Sequence, residues 1–364
     1  MKFCEYCIKD KELSAIIHSN SDEQNECPTC HKKNVKLYDI EQQDYLEPYF
    51  EDLLGIYIPD SELPDDFPKG QEKDLVEDIR ERWHIFSELQ KDDVHEILSN
   101  LYNKISLDNP KIFKELVGIP QLYDKEFLKN HSLLRNGQWE DFVNEIKTVN
   151  RYHSPYINFD ILKRYCSYMR KSYKKGSKFY RARVSGKDGF PASQMSAPPL
   201  GQSSEGRANA KGVTCLYLAN NYETAFHEVR AAAFDYICMG TLEVNQDITV
   251  VNLQDIARVS PFVEGLECRE HAINIEHLQK LNHEMSKPLR RGDSALEYVP
   301  TQYIVDFIKS IHHNGIHEYD GVEYQSTTNP GGYNIAIFNP ELFQCTSIEV
   351  VIINKFAYPY DEVK

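Results

Sequence analysis

Two short cysteine pairs constrain this chain more than anything else in it. Cys4 and Cys7 stand in CEYC and Cys27 and Cys30 in CPTC, with nineteen residues between the pairs. A two-residue spacer lets a tight turn aim both thiolates at one point, and two such turns complete a tetrahedron. The spacing predicts a zinc ribbon over residues 1–40, with Cys4, Cys7, Cys27 and Cys30 holding one structural zinc ion. Four thiolates leave that ion no open position for catalysis. His31 is read as a neighbour of the site, not a ligand. The other five cysteines are scattered, which suits buried thiols in a reducing compartment better than a disulfide framework. MKFCEYCIKDKEL lacks the apolar run of a secretion signal, and no stretch approaches the ~20 apolar residues of a membrane span. The expectation is a cytoplasmic protein that does not engage membranes.

From about 41 to 153 the apolar residues recur at helical spacing, as in DLVEDIRERWHIFSEL and VHEILSNLYNKI, broken by IPDSELPDDFPKG. This predicts a helical domain. Arg82 and His84 lie two residues apart, hence on different helix faces, and no catalytic pair is assigned to them. Residues 1–150 carry 32 acidic against 18 basic side chains, so nearly all of the net charge of −15 sits there. An acidic half is a poor surface for a phosphate backbone, which argues against nucleic acid as a partner. It could instead cover a cationic mouth elsewhere in the chain and act as an inhibitor in cis.

NRYHSPYINFD reads as the link into a second domain over 154–364, opening with a helix ILKRYCSYMRKSY. Beyond it come the β-rich runs FYRARV, VTCLYLA, ITVVNL, YNIAIFN and IEVVIINKF, interleaved with helical segments such as ETAFHEVRAAAF and TQYIVDFIKSIHH. The fold class expected for the whole chain is therefore α+β, a zinc ribbon and acidic helical domain followed by a mixed α/β domain. In FYRARV the two-residue period of a strand puts Arg181 and Arg183 on one face with Phe179, a pair of cations suited to a diphosphate. In SSEGRANAKGVTCLYLANNYETAFHEVR a Gly-Arg turn, a strand and a helix follow in succession, with Thr224 and Glu228 on one helix face. Asn209 and the TTNPGGYN loop with Asn329, Gly331 and Gly332 would shape the same cleft, since glycines allow close approach of backbone to a ligand. His312 and His313 are read as caps for the end of the preceding helix. Taken alone, none of these residues settles a function.

The succession FYRAR, EGRAN, CLYLANNYETAFHE, EYVPTQYIVDFIK and DGVEYQSTTNPGGYNIAIFNP resembles the RES-domain family, named for its Arg, Glu and Ser, from about 178 to 355. The resemblance implies an ADP-ribosyltransferase-like fold and a toxin or defence effector that degrades NAD. It implies Arg207, Tyr217, Glu228 and Ser326 as catalytic residues, with Arg181 helping to hold the nucleotide; Arg183 on the same strand face, and Asn209 and Asn329 in the turn and loop, are read as binding residues beside it. Cleavage of the nicotinamide–ribose bond would suit a carboxylate at the ribose and needs no metal. Ala208 stands where the family commonly has an aromatic residue, and the family's small toxins lack the 150-residue N-terminal half. Water or inorganic phosphate as acceptor, transfer of ADP-ribose to a macromolecule, nucleotide binding without turnover, an antitoxin or regulatory partner, and a homo-oligomer all remain open at this point.

Overall fold

The computed structural model describes residues 1–21, 24–105, 109–289 and 293–355. The chain packs as two compact units, one of residues 1–136 and 258–276, the other of 137–257 and 277–364. Among the described residues no helix is long and apolar enough to cross a membrane.

The first unit opens on a three-stranded antiparallel sheet in the order β1 (Lys2–Cys4), β3 (Val35–Asp39), β2 (Gln24–Asn25). Helix α1 (Lys11–Asn20) starts where the Asp10 carboxylate accepts the free amides of Glu12 and Leu13, a cap that contributes about 1 kcal/mol. Further on lie α2 (Glu47–Leu54), the pair β4 (Ile58–Pro59) and β5 (Val117–Gly118), and α3 (Lys91–Lys104). Helix α3 buries Val94, Ile97, Leu98 and Leu101, the i, i+3, i+4, i+7 stripe of an amphipathic helix. One hydrophobic core runs from Phe3 and Leu13 through Phe50 and Leu98, and it also takes in Phe262, Cys268, Ala272 and Ile275 from the later segment. Arg82 lies on a π-helical turn, Ile79–Trp83, and clasps the buried Asp78 through two bonds of 2.9 and 3.0 Å. His84 ends that turn in the left-handed region, exposed, at φ 52°.

The second unit is built on an eight-stranded sheet. Its strands are β6 (Arg170–Tyr173), β7 (Lys178–Ser185), β8 (Leu216–Ala219), β9 (Tyr236–Val244), β10 (Ile248–Asn252), β13 (Gly321–Gln325), β14 (Tyr333–Ile337) and β15 (Phe343–Ile352). They lie in the order β15, β9, β7, β8, β14, β13, β10, β6. Among the described residues, β10 with β13 is the one parallel pair of this sheet. The hairpin β11 (His312–His313) and β12 (Ile316–His317) stands apart from this sheet. The helices of this unit include a short one, Trp139–Asn144, and α4 (Phe159–Tyr168), α5 (Tyr222–Glu228) and α7 (Val299–Ser310), and the boundary between the units falls within α6 (Cys268–Ser286).

Two sequence expectations are corrected. The helix expected over ILKRYCSYMRKSY ends at Tyr168, once Ile161, Leu162, Tyr165 and Cys166 have filled its apolar face, and the remainder becomes β6 against β10. Of the two histidines expected to cap the end of α7, His312 does so, its Nδ1 meeting the Ser310 carbonyl at 2.6 Å, but the Lys309 carbonyl is met by His317 Nδ1 at 2.9 Å, and His312 and His313 form a strand of the small hairpin.

Strand β7 joins β8 through a single Cα pair, Tyr180 with Ala219, whereas its ladder with β9 runs for eight. Past that point β7 and β8 splay, and the opening exposes three successive residues of each strand to a cavity.

Candidate active site

The cavity measures about 460 Å³ and is bordered by Tyr180–Ala182 and Tyr217–Ala219 of the splayed strands, with Arg207, Glu228, Arg230 and Tyr324 among its polar walls. That is within the range of small-molecule sites.

Glu228 is the last residue of α5, a helix begun by Asn221, whose side chain accepts the Thr224 amide at 2.8 Å. Its Oε1 accepts from Ser326 Oγ at 2.8 Å, Asn334 Nδ2 at 2.8 Å and Thr328 Oγ1 at 3.3 Å. One carboxylate oxygen is thus held by three donors, and the side chain remains exposed on the cavity. Ser326 is itself spent on structure: buried, it also accepts from the amides of Thr328 and Asn329 at 3.4 and 3.2 Å. Asn329 fastens the same loop to α5 by donating to Thr224 Oγ1 at 2.9 Å. The loop lies so close to the helix that a Cβ on Gly332 would fall 2.0 Å from Thr224 Oγ1.

The Gly-Arg turn is held from three sides. Its Gly206 and Asn209 form a bridge, the Ala208 amide donates to Tyr217 Oη at 3.0 Å, and that hydroxyl donates to Asn209 Oδ1 at 2.6 Å. Asn209 is buried with its amide nitrogen on the carbonyls of Ser204, Ala210 and Val213, so it organises the turn from beneath. From α7, Gln302 donates to the carbonyls of Gly206 and Asn209, both at 2.9 Å. A Cβ on Gly206 would meet Tyr217 Oη at 2.5 Å, which explains the glycine beside the arginine. Burial pushes the Tyr217 hydroxyl well above the ordinary phenol range, so it works as a neutral hydrogen-bonding group.

Arg207 points its guanidinium at the carbonyl end of α6: Nη1 donates to Glu284 O at 3.0 Å and Nη2 to Lys287 O. Arg230, in the left-handed region at φ 51°, donates to Leu289 O at 2.8 Å from the other wall. Arg181 borders the cavity and is tied to the carbonyls of Met195 and Ser196; burial, then the charge of Arg183, presses it down to about 10, still a cation at neutral pH. Arg183 lies two residues along, donating to Gln194 O at 2.7 Å with its guanidinium 4.0 Å over the Phe190 ring. Tyr324 is buried in the cavity wall, and burial, then the charge of Glu228, pushes its hydroxyl far up. Sequence reasoning missed Asn334, Thr328, Arg230, Gln302 and Tyr324. Asn334 and Tyr324 lie inside motifs that were read, and their place two residues from a glycine or a serine gave no sign of which way they face.

In the first unit the sulfurs of Cys4, Cys7, Cys27 and Cys30 all lie within 4.8 Å of one another, with contacts of 3.8 Å (Cys4 to Cys7), 3.4 Å (Cys4 to Cys30) and 3.7 Å (Cys7 to Cys27). Zinc–sulfur bonds of about 2.3 Å in a tetrahedron put sulfurs roughly 3.8 Å apart, so the four thiols fit one such ion. The second knuckle is closed by Cys27 N on Lys32 O at 2.8 Å and by His31 N on Cys27 O at 2.9 Å, with exposed His31 at φ 59° outside the cluster.

The second unit is thus an α+β domain whose splayed sheet holds a carboxylate and three arginines around one cavity. A family model described as the RES domain matches residues 178–361, and the chain belongs to that family. No curated protein and no solved structure matches the chain.

Proposed function

We propose that this protein binds NAD in the cavity of its second unit and breaks the nicotinamide–ribose bond. The observation that carries the reading is Glu228, whose one oxygen is held by three donors while the carboxylate opens on a cavity bordered by Arg181, Arg207 and Arg230. Departure of nicotinamide leaves positive charge on the ribose, and a fixed carboxylate stabilises that charge more than it stabilises the ground state. Its second oxygen can accept a ribose hydroxyl. The arginines match the diphosphate, which guanidinium groups bind in bidentate fashion. Tyr217, its hydroxyl engaged in the Gly-Arg turn, offers its ring to the nicotinamide. Ser326 acts through Glu228, Asn209 through the Gly-Arg turn and Asn329 through the loop, while Arg183 adds to the positive field.

We read residues 1–40 as a zinc ribbon, with Cys4, Cys7, Cys27 and Cys30 holding a structural zinc ion, joined to an acidic helical region from 41 that shares its core; the boundary with the 154–364 domain expected from sequence falls at 136/137 instead of 153/154, and 258–276 belongs to the first unit. A zinc-binding set of four cysteines with five scattered ones suits the cytoplasm, where an enzyme that depletes NAD acts as a growth-inhibiting toxin or defence effector and requires an antitoxin or other regulator.

The test is to incubate the pure protein with NAD, with and without inorganic phosphate, and to identify the products. Free nicotinamide with ADP-ribose marks a hydrolase, and phosphorylated ADP-ribose a phosphorylase. Nicotinamide released only when a macromolecule is added would move the assignment to ADP-ribosyl transfer. None under any condition would overturn it.

A further inference from the structure

We propose that Asn334 is a positioning residue that fixes the orientation of the Glu228 carboxylate, so that one oxygen stays anchored and the other faces the substrate; this rests on the reading of Glu228 as the carboxylate at the ribose. Asn334 sits in β14, 4% exposed, with Tyr324 of β13 and Ala219 of β8 as its partners across the ladders. Its Nδ2 lies 2.8 Å from Glu228 Oε1. Of the three donors to that oxygen, Ser326 and Thr328 stand on the loop after β13 and both are hydroxyls, which can turn to accept instead of donate. An amide NH₂ can only donate. Asn334 therefore holds Oε1 as an acceptor from a strand paired on both sides, and leaves Oε2 to the cavity. Strands fix a side chain more tightly than loops do, and a misplacement of about 1 Å at a reacting centre costs on the order of a hundredfold.

The full-length protein carries the test, with kcat and KM for NAD measured separately across pH. Asn334→Ala should lower kcat about 10- to 100-fold and leave KM within about threefold, because the substrate's own contacts are untouched. Asn334→Asp keeps the shape but sets a second carboxyl against Oε1. Carboxyls that close share a proton, so the acid limb of the kcat profile should move to higher pH. Guanidinium groups keep their charge, and burial keeps Tyr324 neutral over that range, so the moved limb reports the carboxyl pair. A purely structural role would lower melting temperature and active fraction without moving the limb. Should the alanine variant melt below the assay temperature, Asn334→Asp alone decides. Variants with wild-type kcat and an unmoved limb overturn the proposal while the parent reading stands; a wild-type protein that releases no nicotinamide overturns both.

Discussion

A carboxylate at the C-terminal end of a helix is poorly sited, because the unpaired carbonyls there repel it by some tenths of a kcal/mol. Glu228 occupies that position at the end of α5 and is compensated by three donors on one oxygen. The arrangement sharpens what Glu228→Gln must do. The Asn334 amide, which can only donate, requires an oxygen, so the glutamine carbonyl takes the Oε1 place and its NH₂ turns to the cavity, a donor where the proposed reaction calls for an acceptor and a negative charge. We expect kcat to fall by at least about a hundredfold with a melting temperature within about 2 °C of wild type. A variant within a few-fold of wild type would remove Glu228 from the chemistry. At this scale motif residues were legible and their neighbours were not. Glu228 and Ser326 could be read in the sequence, but their 2.8 Å bond spans 98 positions and depends on how β13 and α5 are placed. Arg230 gave no sign because its partner, Leu289 O, is supplied by a segment 59 residues away.

Elements carried more of the sequence signal. The β-rich runs FYRARV, VTCLYLA, ITVVNL, YNIAIFN and IEVVIINKF correspond to β7, β8, β10, β14 and β15, because short runs enriched in β-branched and aromatic residues report a strand. YICMGTLEV went unremarked although it is β9, packed between β15 and β7; with Cys, Met and Gly in its middle it lacks a run of β-branched residues and shows no alternation. The splay between β7 and β8 is likewise invisible in sequence, being a property of register. Two predictions belong here. Gly332→Ala would set a Cβ 2.0 Å from Thr224 Oγ1, so loop and helix must part; a loss of about 1–3 kcal/mol in urea unfolding, with a fall in turnover, is expected. Stability and turnover like those of wild type would show that the loop is free to move away. Cys27→Ser removes one of four converging sulfurs and should bring bound zinc, measured by elemental analysis, close to zero while leaving nicotinamide release largely intact. Wild-type protein found without zinc would refute the ribbon.

At the scale of the whole molecule the first unit is discontinuous, which no composition or periodicity announced. Phe262 packs against Tyr49 and Phe50, with ring centroids 5.8 and 6.0 Å apart, and Cys268 donates its amide to Asp52 at 3.2 Å. A fragment starting at residue 154 would therefore carry Phe262, Cys268, Ala272 and Ile275 without the core that buries them. We expect it to bind a hydrophobic dye and to melt at least about 5 °C below the full chain. An equally stable fragment would mean that 258–276 needs no cover. The same fact bears on autoinhibition by the acidic half: it is better sought as a rise in activity of the intact chain with salt than by truncation.

The order of synthesis gives that discontinuity a further meaning. Domains ordinarily fold from the N-terminus as they leave the ribosome. Here the first unit cannot close its core until residue 276 has been made, by which time Arg207 and Glu228 have already emerged while β13, β14 and the donors Ser326 and Asn334 are still to come. The Cys4, Cys7, Cys27 and Cys30 sulfurs, all within the first thirty residues, are the first part of this protein able to gather around an ion, and the cavity of the second unit is among the last to be completed.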